Sequence, residues 1–474
     1  MVDSVAGRME MGYDLLGRQV NQRWPNGLSE TRTYDSASRL LAITPGQQDK
    51  KGAPTITYAY DQRGNRLTMD RSDVGLSRYT YDEISQLLTA ALPDGDFQTY
   101  TFDPVGNRLS LKDSRGLQTY EYDEADELLE VESDFNPEQP SMTGPLMTRL
   151  GASDANRPLF KTVYGWDADG NQVSKTGPGS KASHYGFDAL DRLVGVSAPG
   201  SEPEKYFYNA DRQRIATVHG KDSVSERFLH LGRGRQVLGD LDGSGKLTKR
   251  YVFLPSGQLL AHVDSSANKP AFYHFDALGS TAVMSDSAAR ITARFFYDSY
   301  GVTRYIPLTD ERYGYVGREG VGNTNSGLQE MGLRYYDPFH GRFLSREPLT
   351  AYPFLGSRYS YAMNNPLTVT DPSGLHPSVA TEGRPLVWHT EPGWDNDGYH
   401  YHDATGARYS SNPPPIQTAS RNSEGGIQRV SEDEARSTVT RWLGYATSAA
   451  EGCAKLVLKV IKALIPSSEP AGSP

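Results

Sequence analysis

The chain has 474 residues, about three times the usual domain size of ~150 residues, so a single ordinary domain is excluded unless the chain repeats. A net charge of −9 argues against a globally basic nucleic-acid binder, and the single cysteine, Cys453, excludes an intrachain disulfide framework and a thiolate zinc cage. The 47 Gly, 29 Pro and 29 Tyr favour strands and turns over helices. Met1–Val20 lacks the apolar core of a signal peptide, and no stretch approaches the ~18 apolar residues of a membrane helix. If the protein is exported, the expectation is a route other than a standard signal peptide, or a start upstream of Met1.

In chain order, an aromatic–Asp pair recurs at Tyr13-Asp14, Tyr34-Asp35, Tyr60-Asp61, Tyr81-Asp82, Phe102-Asp103, Tyr122-Asp123, Trp166-Asp167 and Phe187-Asp188, with a degenerate Tyr208-Asn209. The Asp-to-Asp steps are 21, 26, 21, 21, 20, 44, 21 and 21. The 44-residue step reads as two periods with one unit lost, and it holds an insertion loop from Asn136 to Pro158. A period near 21 is too short for two packed helices and suits a hairpin. In Thr57–Leu67 the aromatics two apart share one strand face, Asp opens a turn, and Gly64 supplies positive φ. Arg66–Met69 and Arg108–Leu111 resume the alternation beyond the turn. Each repeat is predicted to be a β-hairpin with its aromatics on one face, and successive hairpins stack into one curling sheet.

These repeats, from Tyr13 to Ile215, resemble the YD-repeat or Rhs family. Further on, Tyr273–Thr281 and Phe296–Gly301 look like the start of the Rhs repeat-associated core. Gly332–Pro338, Gly341–Pro348, Tyr361–Pro366 and Asp371–Leu375 match the rest of that core in order and spacing. The resemblance implies an all-β fold, a spiral of antiparallel hairpins closing into a teneurin-like YD shell. It also implies an aspartyl-type self-cleaving site that cuts after the Leu of Asp-Pro-x-Gly-Leu and frees a variable C-terminal polypeptide. On this chain the arginine is Arg334, the carboxylates are Glu347 and Asp371, and the bond is Leu375–His376. Two carboxylates suit the reaction because one, ionised, activates water while the other, protonated, donates to the scissile carbonyl. The family usually has Asp where Glu347 stands, so the arm is one methylene longer. The alternative reading is an ordinary Asp-Pro-Ser-Gly turn, with Arg334 in a structural ion pair.

After Leu375 the repeat ends and the composition shifts. His389, His400, His402 and Asp403 offer a metal or acid–base site, although alternating aromatics and histidines equally make the face of a small hairpin. Asn412–Pro415 reads as a stiff linker. Ser431–Glu434 opens one helix and Cys453–Ile465 forms a second, which packs on a neighbour or touches a membrane without spanning it.

The expected organisation is YD/Rhs hairpin repeats over 1–225, the repeat-associated core over 226–375, and a small mixed, partly helical module over 376–474. The resemblance implies a shell that encloses its own C-terminal polypeptide as part of a bacterial polymorphic toxin or wall-associated protein, secreted or held at the cell surface. Its expected partners are that tail, an immunity protein and secretion machinery; no cofactor is implied, and no nucleic acid for the shell. The alternative is a cell-surface adhesion protein with an inert tail, whose aromatic-rich sheet stacks on carbohydrate.

Overall fold

The computed structural model describes residues 2–375 except 5, 47–51, 138–158, 221–223, 231–235, 255–256, 306–310 and 349–355. It also describes 377–379 and the strands Tyr399–His402 and Arg408–Ser411. The chain divides into two compact units, Met1–Gly393 with His402–Arg408, and Trp394–Tyr401 with Tyr409–Pro474. Strands Tyr399–His402 and Arg408–Ser411 form a two-stranded sheet. The predicted tail helices and the Pro-rich linker lie outside the described residues.

The first unit is built almost wholly from antiparallel strands. From Glu10–Tyr13 to Ile291–Arg294, 25 strands among the described residues form one meander, each pairing with the next in sequence. Burial alternates as a half-buried sheet requires: in Ile56–Tyr60 the side chains of Ile56 and Tyr58 are buried while Thr57 and Ala59 face out. Helix among the described residues is confined to three-residue 3₁₀ turns such as Gly317–Glu319.

The Asp of each repeat explains the turn. Asp61 Oδ1 accepts from the backbone N–H of Arg63 (2.9 Å) and of Asn65 (2.8 Å). The same pair of bonds recurs at Asp82, Asp103, Asp167 and Asp188. The residue three after the Asp takes positive φ, as at Gly64, Gly106 and Gly170, which creates the register shift seen beside each turn. The aromatic before the Asp ties its hairpin to the preceding one. Tyr34 donates to the carbonyl of Gln19 (2.7 Å), Tyr81 to Arg66 (2.8 Å), Tyr122 to Arg108 (2.9 Å), Trp166 to Leu128 (2.8 Å) and Tyr208 to Leu193 (2.6 Å). In every case the acceptor lies five residues after the previous Asp.

The 44-residue step is not a lost unit. Strand Leu128–Ser133 pairs directly with Phe160–Trp166, Glu130 opposite Val163, so one period is present and its connection alone is lengthened. Lengthening a connection adds little closure entropy, and the ladder continues from Leu128–Ser133 to Phe160–Trp166.

The sheet closes on itself. Near its two ends Met9, Trp24 and Leu28 pack with Leu260, Val263 and Phe272. Asn26 donates to Ser285 Oγ (3.1 Å) and to the Asp286 carbonyl (2.8 Å), and Arg250 grips Asp3 through two bonds of 2.8 Å. Closed sheets widen with strand number, and barrels of ~16–18 strands already surround an aqueous channel.

Described residues between Phe295 and Val369 pack against the buried face of this sheet. A four-stranded sheet of Gly322–Asn323, Gln329–Met331, Arg334–Asp337 and Arg342–Phe343 brings aromatics onto those of the repeats. Tyr335 stacks on Tyr206 (5.6 Å) and Tyr300 tilts against Tyr100 (5.4 Å), while Tyr359 meets Trp166 edge-on (5.0 Å). The buried guanidinium of Arg108 lies 4.3 Å from the ring centre of Tyr300 and 5.0 Å from that of Tyr100, a cation–π arrangement that offsets part of the cost of burying the charge.

Candidate functional site

Arg334, Glu347 and Asp371 converge. Arg334 starts the strand Arg334–Asp337, Glu347 follows the short strand Arg342–Phe343, and Asp371 follows Val369–Thr370. One nitrogen of Arg334, Nη2, lies 2.7 Å from Glu347 Oε2 and 3.1 Å from Asp371 Oδ2. All three residues are buried. Burial pulls the guanidinium below its usual range, and the two carboxylates oppose that shift. The Phe343 ring lies beneath it, 3.6 Å from the guanidinium carbon.

The same arginine reaches the chain beside the predicted scissile bond. Arg334 Nε donates to the carbonyl of Gly374 (2.6 Å) and Nη1 to that of Arg358 (3.1 Å). The N–H of Leu375 donates to Asp371 Oδ1 and to Ser373 Oγ, both at 3.2 Å. The Gly374–Leu375 peptide is thus gripped at both of its polar atoms. Gly374 is required there: it adopts φ +64°, and a Cβ would stand 2.3 Å from the Met331 carbonyl oxygen and 2.9 Å from the Arg334 nitrogen. The turn is closed by a ladder in which Val369 faces Val379 and Thr370 faces Ser378. Leu375, the residue before the predicted cut, therefore lies between the two strands of this hairpin.

The spacing of the sequence did not single out Ser373, Phe343 or Arg358. Ser373 reads as a generic turn serine, and the other two are placed only by tertiary packing. Of the tail candidates, His389 and Asp403 lie outside the described residues; His400 and His402 belong to the strand Tyr399–His402, with their side chains outside the description. Among the described residues no group of three or more His, Cys, Asp or Glu is arranged to hold a metal ion, and no helix is long and apolar enough to cross a membrane.

The fold and this hairpin define a YD shell with its associated core. The Teneurin YD-shell family profile matches residues 76–367, and the chain belongs to that family. It is similar to the toxin subunits YenC1 and YenC2 of Yersinia entomophaga, being 39% identical to the first over 69 residues and 40% identical to the second over 65. These matches cover 15% and 14% of this chain and 7% of each relative, so the aligned part is a small fraction of either toxin subunit. Among solved structures, a TcdB2-TccC3-Cdc42 crystal structure shows 19% identity and a TM-score of 0.40, covering 77% of this chain and 21% of that one. A Photorhabdus luminescens Tc holotoxin pore shows 19% identity and a TM-score of 0.38, with 78% and 21% covered.

Proposed function

We propose that this chain is the shell-forming part of a bacterial Rhs-type polymorphic toxin, in which repeats over 1–225 and a core over 226–375 enclose the variable polypeptide 376–474. In this reading the core cuts its own Leu375–His376 bond. The observation that carries it is the double grip of one buried arginine, on Glu347 and Asp371 through Nη2 and on the Gly374 carbonyl through Nε, one residue before the bond. One carboxylate, ionised, takes a proton from water as its oxygen adds to the Leu375 carbonyl carbon. The other, protonated, donates toward the carbonyl oxygen. Collapse breaks the C–N bond, the His376 nitrogen leaves protonated, and Leu375 ends in a carboxylate. The local similarity to toxin subunits supports placing the chain in a secreted toxin, with the tail as its first partner and an immunity protein and secretion machinery as others.

The mass of the full chain under denaturing conditions tests this. Wild type should give a species ending at Leu375 and a tail of 99 residues, and Asp371→Asn should remain whole. A single uncut wild-type species would overturn the cleavage reading. The tail is proposed to act through His389, His400, His402 and Asp403, as a metal or acid–base site; expression of the tail alone should then slow bacterial growth, and His400→Ala should relieve the effect. The carbohydrate-binding reading gains no comparable support, because Tyr58, Tyr79, Tyr100, Tyr120 and Tyr164 are at most 5% exposed and their faces are already packed.

A further inference from the structure

We infer that Ser373 is a positioning residue for the cut at Leu375–His376, an inference that rests on the self-cleavage proposed above. Its side chain is buried, 6% exposed, and its hydroxyl stands between the carboxylate and the Gly374–Leu375 peptide, the one just before the bond to be cut. Ser373 Oγ donates to Asp371 Oδ1 at 3.0 Å and accepts from the Leu375 N–H at 3.2 Å, an N–H that Asp371 Oδ1 also accepts at 3.2 Å. Carboxylate, hydroxyl and amide thus close a three-membered ring of contacts around Leu375.

The ring fixes two things at once. Arg334 meets Asp371 at Oδ2, while Ser373 Oγ and the Leu375 N–H meet Oδ1, so the terminal torsion of the carboxyl group, otherwise broad in energy, is pinned at both oxygens, with Ser373 as one of the pins. The Leu375 N–H, shared between Oδ1 and Oγ, sets the plane of the peptide whose carbonyl side Arg334 Nε holds at Gly374. The backbone of Ser373 is anchored as well, since its carbonyl accepts from the Leu333 N–H at 3.1 Å, beside Arg334. The hydroxyl is therefore presented from a fixed point to the carboxylate and the amide together. A misplacement of ~1 Å in such an arrangement costs on the order of 100-fold in rate.

A serine that merely shapes the turn makes a different prediction, because its loss would weaken the fold and Thr or Val would serve according to backbone fit alone. The test follows the cut fraction of full-length chain against time after cell-free synthesis, on denaturing gels, for wild type, Ser373→Ala, Ser373→Thr and Ser373→Val. Ser373→Ala and Ser373→Val should slow cleavage about 10- to 100-fold, whereas Ser373→Thr, which keeps the hydroxyl, should stay within about threefold. Melting temperatures of Asp371→Asn with and without Ser373→Ala, both uncut, should agree closely. Equal rates for wild type and Ser373→Ala, or rescue by Val as good as by Thr, would overturn the role of Ser373 and leave self-cleavage standing. An uncut wild type would remove both.

Discussion

The side-chain amide of Asn365 donates to Oδ1 of Asn65 at 2.8 Å, a buried bond between residues 300 positions apart in sequence. Asn65 is itself part of the turn ladder, donating through Nδ2 to Asp61 Oδ2 (2.9 Å) and to Ser85 Oγ in the next turn (3.0 Å). One amide therefore joins two repeats to each other and to the core. Related bonds run along the same row of turns: Arg18 to the Asp35 carbonyl, Arg39 to the Asp61 carbonyl, Asn107 to Asp126 and Asn171 to Asp191.

Asn65→Ala should destabilise the protein by about 2–3 kcal/mol, since it removes these bonds and strands buried partners. Asn365→Ala should cost less, because the bonds within the turns survive. A double-mutant cycle by chemical denaturation should return a coupling of at least ~0.5 kcal/mol for residues in direct contact. A coupling near zero would show that the bond does not link core and repeats energetically.

The aromatic hydroxyls offer a comparison between equivalent positions. Tyr122→Phe keeps the ring and loses one bond, to the Arg108 carbonyl, and should cost about 1 kcal/mol. Tyr208→Phe loses the bond to Leu193 and a second, of 3.0 Å, to the Tyr335 hydroxyl of the core, and should cost more. If the two variants melt alike, the contact with Tyr335 contributes nothing to stability.

Gly374→Ala places a methyl group against the Met331 carbonyl and the Arg334 nitrogen, in a backbone conformation unfavourable to alanine. The turn must open to accommodate it, and Arg334 Nε would then lose the Gly374 carbonyl. Cleavage should fall by at least on the order of 100-fold, while circular dichroism of the 25-strand sheet should be unchanged. Cleavage at the wild-type rate would show that the grip on this peptide is not used.

How much of this was legible in the sequence follows from the range of each interaction. The hairpins and their Asp turns are local, so the 21-residue period sufficed, and the family resemblance placed Arg334, Glu347 and Asp371 before their convergence was seen. The residue four after each Asp escaped notice because its type varies, Arg18, Asn65 and Gln86 among them, although Arg and Asn at that position make a bond to the following turn. The meander also continues through Val224–Arg294, beyond the last aromatic–Asp pair of the first run. There two of the aromatic–Asp positions read His230-Leu231 and Phe253-Leu254, and His230 Nε2 meets the Arg214 carbonyl at 2.9 Å in the place a tyrosine hydroxyl takes elsewhere. Function of the position was kept while the motif was lost.

The last prediction concerns pH. His274 is buried beside Trp24, ring centres 4.2 Å apart, and its Nε2 meets Ser285 Oγ at 2.8 Å; burial pushes its imidazole down to about 3. His230, His262 and His340 are lowered as well, each chiefly by burial. A group whose value is lower folded than unfolded binds fewer protons in the native state, so stability falls as pH drops below the unfolded value of ~6.5 and continues to fall toward the folded value. For His274 the window runs from about 6.5 to about 3, with a limiting slope of about 1.4 kcal/mol per pH unit. Asp276 and Asp298, raised by burial, act in the opposite sense near the acid end, equally in wild type and variant. His274→Gln retains a group able to bond Ser285 and does not titrate. Denaturation free energies measured from pH 7.5 to 4 should decline less steeply for His274→Gln than for wild type, by up to that slope, and parallel curves would show that His274 titrates alike in the folded and the unfolded protein.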